Sequence, residues 1–209
     1  MKKIFFILLA GSITMTACVS NPDGDKAETG DAATPASGGD VKLEVDTAAS
    51  SLAWAGRKVS GAHNGTVKIQ GGELSFAAGK LAGGNFVIDM QTITNLDLTD
   101  AEYKAKLEGH LKADDFFAAD KYPTSKFEIT SVADNGNNQV TISGNLAIRD
   151  SIKNITFPAT ITENTADKFA ANADFNIKRQ DWGVKYTGMK DDLISDEINF
   201  KISLVAAKK

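Results

Sequence analysis

The chain has 209 residues, with a formal net charge of −4. That balance excludes a protein built to grip nucleic acid or anionic lipid, which depends on clustered lysine and arginine; removal of a leader carrying Lys2 and Lys3 would make it more acidic still. One cysteine, Cys18, and two histidines, His63 and His110, exclude an internal disulfide and count against a zinc site.

Residues 1–17 read as an export signal: Lys2 and Lys3 precede a short apolar run beginning at Ile4, too short to span a bilayer. MTAC at 15–18 resembles the bacterial lipoprotein box, with methionine where an aliphatic residue is usual. The resemblance implies that Cys18 is lipidated and becomes the mature N-terminus. Several acyl chains hold firmly, at about 0.8 kcal/mol per buried methylene. Val19 follows the cysteine where an aspartate often marks inner-membrane retention, so the expected location is the cell envelope, lipid-anchored to the outer membrane and facing the periplasm or the surface. The competing reading is a secreted protein with a chance cysteine. Residues 18–40, rich in small and polar side chains without periodicity, read as a disordered linker that cannot bury enough apolar surface to offset its ordering entropy. Residues 41–209 then form one domain.

Within it, VKLEV at 41–45 alternates as a half-buried strand, and Leu52 and Trp54 alternate with Ala53 and Ala55. GAHNG at 61–65 reads as a turn, 66–70 as a strand, and Gly71 with Gly72 as a hairpin turn into 73–76. A longer strand over 81–91 puts Phe86, Ile88 and Met90 on one face. Thr99 with Glu102 three residues on predicts a helix N-terminus, and Gly109 suits its end just after Glu108.

The stretch 107–127 does not alternate. Leu107 and Leu111 share a helical face, Phe116 and Phe117 are adjacent, and Tyr122 before Pro123 stops any helix. Strand resumes over 126–132, and NGNN at 135–138 predicts a hairpin. The strand over 139–149 carries Gly144 at a point where a sheet bends, and 152–161 returns. Residues 168–178 place Phe169, Ala171, Ala173, Phe175 and Ile177 on one face; the last strand, 194–206, does the same with Ile198, Phe200, Ile202 and Leu204. Eight or nine mostly antiparallel strands, each with one apolar face, predict a closed barrel, because closure removes exposed edges. A barrel of about eight strands either fills with its own side chains or holds one small ligand.

EGHLKADDFF at 108–117 followed by KYPTSKF at 121–127 resembles the signature segment of the YceI-like family. The segment from Asp46 to Trp54 resembles the family's opening strands, with Ser50 and Ser51 where His-Ser is common; ISGNLAIRDSIKNITFP at 142–158 resembles its central hairpin, and FNIKRQDWG at 175–183 and ISDEI at 194–198 its closing strands. The resemblance spans 41–206. It implies an all-β fold, an antiparallel lipocalin-like barrel with one helical crossing segment, exported in bacteria. Some members of the family carry a long polyisoprenoid and others are linked to isoprenoid quinones, so the resemblance implies an isoprenoid-binding pocket.

Such a tail needs a dry apolar tunnel and little polar chemistry. The candidate liners are Trp54, Phe76, Phe86, Ile88, Phe116, Phe117, Phe127, Leu146, Phe157, Phe175, Trp182 and Phe200. The bland alternative is that these side chains meet in a solid core and the protein acts through its outer surface, in adhesion or stress protection. His110 with Asp114 or Asp115 is the one candidate acid–base pair; a histidine beside a helix end more often anchors a loop, and no serine or cysteine nucleophile is recognisable, so no enzyme and no cofactor are expected. Arg179 is a candidate head-group contact, with His110, or else pairs with an aspartate to close the barrel end. The expected partners are an isoprenoid or similar long-chain lipid and the membrane through the anchor; a homodimer stays open.

Overall fold

A computed structural model describes residues 19–209. The expected signal segment and Cys18 lie outside the described residues.

The domain is an eight-stave antiparallel barrel. Its strands are β3 (Val41–Val45), β4 (Ser51–Lys58), β5 (Gly61–Ala77), β6 (Lys80–Asn95), β7 (Thr124–Gly136), β8 (Gln139–Ile148), β9 (Ser151–Asn164), β10 (Lys168–Lys178) and β12 (Asp192–Ala207). Neighbours pair in chain order from β4 to β10, β10 pairs with β12, and β12 returns to β4, so the sheet closes. Both β3 and β4 lie between β12 and β5, as two halves of one stave. The break between them is an Asx turn: Asp46 Oδ1 accepts from the backbone of Ala48 and Ala49, each at 3.0 Å. Ser50 then ties the restart to β12 by exchanging hydrogen bonds with the Val205 backbone.

Two expectations about turns change. Gly71 and Gly72 do not make a hairpin turn. They sit inside β5, paired with Val87 and Phe86 of β6, just after a bulge at Gln70 where the register shifts between Ile69 and Gly71. The turn falls later, at Ala78 and Gly79, both at positive φ. Nor is GAHNG a turn: β5 already begins at Gly61 and pairs with β4. There Gly65 is needed for close approach, since a Cβ would lie 1.9 Å from the Thr94 carbonyl oxygen and 2.6 Å from the Trp54 ring. The Asn137–Asn138 hairpin is where the sequence puts it, with both residues at positive φ.

The helix, α1 (Ala101–Lys112), is capped by Asp100 and not Thr99; the Asp100 carboxylate accepts from the N–H groups of Glu102 and Tyr103. It runs through Gly109, because nothing crowds that position and Leu111 is still drawn down onto the barrel. Leu107 and Leu111 form its inward stripe. Glu108 pins it: one carboxylate oxygen accepts from Thr94 Oγ1 at 2.7 Å and from the Asn95 N–H at 2.8 Å, and these bonds hold its pKa below the usual range. The chain then turns through Phe116 and Phe117, and Arg149 Nη1 clamps this crossing by donating to the carbonyls of Phe116, Asp114 and Gly183.

The disordered-linker expectation is overturned for much of 18–40. β1 (Asp25–Lys26) pairs in parallel with β10, and β2 (Glu28–Asp31) pairs antiparallel with β9. Ala27 between them is buried and its N–H bonds the Asn176 carbonyl. Farther along, the Ala33 backbone exchanges hydrogen bonds with the Asn145 side chain, and the Ala36 N–H reaches the Ile129 carbonyl. Composition missed this strap because backbone pairing, not side-chain burial, supplies most of its contacts.

Candidate functional site

The inward faces of the staves do not meet. They enclose a cavity of about 360 Å³ whose lining is overwhelmingly apolar. Seven of the expected liners form a belt around its waist. Cross-strand register places Phe86 opposite Phe127, Phe127 opposite Leu146, Phe175 opposite Phe200, and Phe200 opposite Trp54. Phe157 completes the belt from β9, its ring stacked on Phe175 with centroids 4.0 Å apart and 5.8 Å from Phe127. The belt follows from period-two alternation: each aromatic sits at an inward position of its own strand, and closure brings these positions to one level. Gly144 on β8 makes room for it, since a Cβ there would lie 2.2 Å from Phe127 Cζ.

Above the belt, Ile88, Phe116 and Phe117 line the end under the helix, with Leu107, Leu111, His110 and Tyr186. Leu74, Leu81, Phe169 and Leu204 line the opposite end.

Two expected liners do not reach the cavity. Phe76 packs edge-on against Phe169, with ring centroids 5.3 Å apart, and pairs across the sheet with Val41 and Leu81. Trp182 is fully buried but lies in the 3-10 turn Arg179–Trp182 that leaves β10, so strand alternation no longer governs its direction. Its indole N–H donates to the Leu146 carbonyl at 2.8 Å, which makes it a bolt between that turn and β8. Phe169 and Met90, which alternation puts on the faces of named liners but which are not among the candidates, also line the cavity. Ser125, two residues before Phe127 on the same face of β7, also lines it, as does Tyr186, which carries no such signal.

The polar liners gather near the helix end. His110 Nε2 is 2.9 Å from Asp115 Oδ2, and its ring meets Phe116 and Tyr186 edge-on, so it anchors the crossing. Arg179 is 1 % exposed; Nε donates to the Ser195 carbonyl, Nη1 to the Val184 carbonyl, and the guanidinium lies over the Phe116 ring. Burial pulls its pKa below the ordinary arginine value, against an opposing pull from Asp196. Among the described residues no carboxylate lies within 4.0 Å of it, so the expected Arg–Asp closure is replaced by bonds to carbonyls. At the rim, Lys58 Nζ is 2.7 Å from Asp192 Oδ2, joining the β4–β5 hairpin to that of β11 (Gly188–Met189) and β12. With help from Ser60, this pairing draws the Asp192 pKa down to about 2. Across the end of β5, His63 Nδ1 is 2.8 Å from Asp97 Oδ2. Among the described residues no group of three His, Cys, Asp or Glu side chains is placed to hold a metal ion.

Fold and cavity together define a hollow antiparallel barrel of the lipocalin-like kind, closed around an apolar interior and roofed at one end by a helix. The chain belongs to the YceI-like family, whose domain profile matches residues 43–206. It is 31 % identical over 134 residues to a UPF0312 protein of Shewanella denitrificans, covering 64 % of this chain and 68 % of that one. A UPF0312 protein of Pseudomonas putida is 26 % identical over 141 residues, covering 65 % and 71 %. Among solved structures, BcnA of Burkholderia cenocepacia superposes with a TM-score of 0.66 at 25 % identity, covering 78 % of this chain and 99 % of that one. A domain from Saccharophagus degradans, described as polyisoprenoid binding, superposes with a TM-score of 0.64 at 15 % identity, covering 81 % and 100 %; at that identity the likeness is one of fold.

Proposed function

We propose that this protein binds an isoprenoid-type lipid inside its barrel and stores or carries it in the bacterial envelope, tethered to the outer membrane through acyl chains on Cys18. The observation that carries the reading is the apolar cavity along the barrel, ringed by Trp54, Phe86, Phe127, Leu146, Phe157, Phe175 and Phe200. Family membership and the polyisoprenoid-binding description of the Saccharophagus degradans domain favour the same class of ligand.

The physical case is simple. An unbranched or prenyl chain gains about 0.8 kcal/mol for each methylene taken out of water, so a five-carbon isoprene unit contributes about 4 kcal/mol before ordering costs. Aromatic walls suit such a chain because they offer wide apolar faces with few rotamers to freeze. The reading involves no catalysis: His110 holds Asp115, and the container needs only shape and dryness.

The test is to purify the full chain from a bacterial host, extract it with organic solvent and identify the extract by mass spectrometry. A stoichiometric prenyl lipid is the expected result; protein repeatedly free of lipid would refute the reading. Phe86→Arg, confirmed folded by circular dichroism, places an uncompensated charge in the lining and is expected to empty the barrel.

A further inference from the structure

Three ties hold residues 21–23 at one end of the barrel. Asn21 Oδ1 accepts from Ser195 Oγ at 2.8 Å, the carbonyl of the buried Pro22 accepts from Asn176 Nδ2 at 2.8 Å, and Asp23 lies 3.7 Å from Arg57. Cys18 is three residues before Asn21, a span of at most about 11 Å even when fully extended. Ser195 stands close to the start of β12, about 7 Å of strand rise from Leu193. In the other direction β12 runs on to Ala207, about 40 Å of strand and about 30 Å of barrel axis at the usual tilt. Acyl chains on Cys18 therefore reach the near end of the barrel and not the far one.

The near end also carries exposed apolar side chains. The turn between β4 and β5 presents Val59, and the β11–β12 hairpin presents Met189 and Leu193. The Val59 N–H donates to the Leu193 carbonyl at 3.0 Å, and Lys58 and Ser60 both hold Asp192, so the two hairpins form one lip. Beside it Leu96, exposed just past the end of β6, bonds through its N–H to the Asn64 carbonyl of β5. Met189 is 68 % exposed and yet lines the cavity, with Lys58, His63 and Ile194, so the cavity reaches the surface at this lip. Exposed apolar residues scattered singly are ordinary; several on joined hairpin tips around an opening mark a contact face. Lys185 and Lys190 are exposed in the same segment, on stems long enough to reach lipid phosphates.

We propose that the barrel stands mouth-down on the leaflet that holds the Cys18 acyl chains, with Val59, Met189 and Leu193 dipped into it, so that the cavity opens onto lipid and not onto water. The docked strap is what decides this. A free linker over 18–40 would let the barrel tumble above the membrane, whereas the ties at 21–23 leave a tether too short for any other end to face it. A tether of that length holds the lip beside lipid at high effective concentration, which favours the leaflet over a second protein copy as the occupant. With a net charge of −4 the chain has no general attraction to anionic lipid, so the tether and the apolar lip carry the contact. This rests on the Cys18 anchor in the reading above and adds the barrel's orientation and the face that meets the bilayer.

The test uses the full chain, expressed with its leader in a bacterial host, purified from membranes and reconstituted into phosphatidylcholine vesicles. Intact mass first establishes whether Cys18 is acylated, which also blocks its thiol from labelling. Met189→Cys and Leu193→Cys at the lip, and Ala166→Cys in the turn between β9 and β10 at the far end, each then carry an environment-sensitive fluorophore. The two lip labels are expected to be quenched by nitroxide-bearing lipids and to lose access to aqueous iodide, and the Ala166→Cys label to do neither. Adding Val59→Asp and Leu193→Asp to the Met189→Cys protein is expected to restore iodide access, and unchanged shielding there overturns the lip as the contact face. Lip and far-end labels that behave alike in acylated protein overturn the orientation and leave the anchor standing. Lip labels shielded from iodide yet untouched by the nitroxide lipids overturn it in favour of a second copy seated on the lip. A chain without acyl groups on Cys18 overturns both the anchor and the orientation.

Discussion

The belt makes a sharp demand on Gly144. A Cβ at that position would sit 2.2 Å from Phe127 Cζ and 2.6 Å from Cε2, so the ring must retreat by about 1.2 Å to reach the 3.4 Å of ordinary contact. It cannot retreat sideways, because Phe86 is stacked at 6.0 Å on one side and Phe157 stands at 5.8 Å on the other. The remaining direction is into the cavity. Gly144→Ala should therefore cost about 1–3 kcal/mol, as overpacking does elsewhere, and the ring displaced inward should also reduce lipid occupancy. Urea unfolding at equilibrium measures the first effect and mass spectrometry of the extracted lipid the second. Phe127→Leu removes the obstructing ring edge, so the double variant should lose less than the sum of the single losses by more than about 0.5 kcal/mol, the scatter of additive pairs. Additive losses, or Gly144→Ala with unchanged stability and occupancy, would refute the account of the belt.

Trp182→Phe breaks the bond to the Leu146 carbonyl and should lower stability by about 1–3 kcal/mol while leaving lipid occupancy unchanged, since Trp182 lies outside the cavity lining; loss of lipid in a folded Trp182→Phe protein would put the indole back among the liners. The Asp192 pKa is lowered in the folded state, so the stability from its tie to Lys58 is complete above the usual aspartate value of 3.8 and vanishes only as pH falls through about 2. Carboxyl chemical shifts followed by NMR should show Asp192 still ionised at pH 3.8, and a midpoint there would contradict the tie. The strap should protect the Ala27 amide, bonded to the Asn176 carbonyl, from hydrogen exchange; exchange as fast as in an unstructured peptide would return that segment to the status of a free tether.

Much of this architecture is legible in one dimension because strand burial has a period of two. Phe86 and Ile88, Phe169 to Ile177, and Ile198 to Leu204 each declare their inward face without a partner in view, and Leu107 with Leu111 declares a helix lying on something apolar. The helix cap shows the limit of that reading. Thr99 and Asp100 are both capping residues, and only the observed path of the backbone, with Asp100 accepting from Glu102 and Tyr103, selects between them.

What the sequence by itself determined is which side chains face inward, and hence that a closed barrel with an aromatic interior would form. Whether that interior is solid or hollow lay beyond it, because a void depends on how many staves close the ring and at what stagger, a property of the whole sheet and of no single strand. The same holds for Gly71 and Gly72, read as a turn but paired within β5 beside a bulge at Gln70, since only the partner strand shows where the ladder continues. It holds for Trp182, whose strand ended a few residues earlier, and for the strap over β9 and β10, whose hydrogen bonds come from backbone that every sequence possesses. Tertiary closure alone brought Trp54, Ser125 and Arg179, from three distant parts of the chain, onto one cavity with a buried polar atom still unpaired on each.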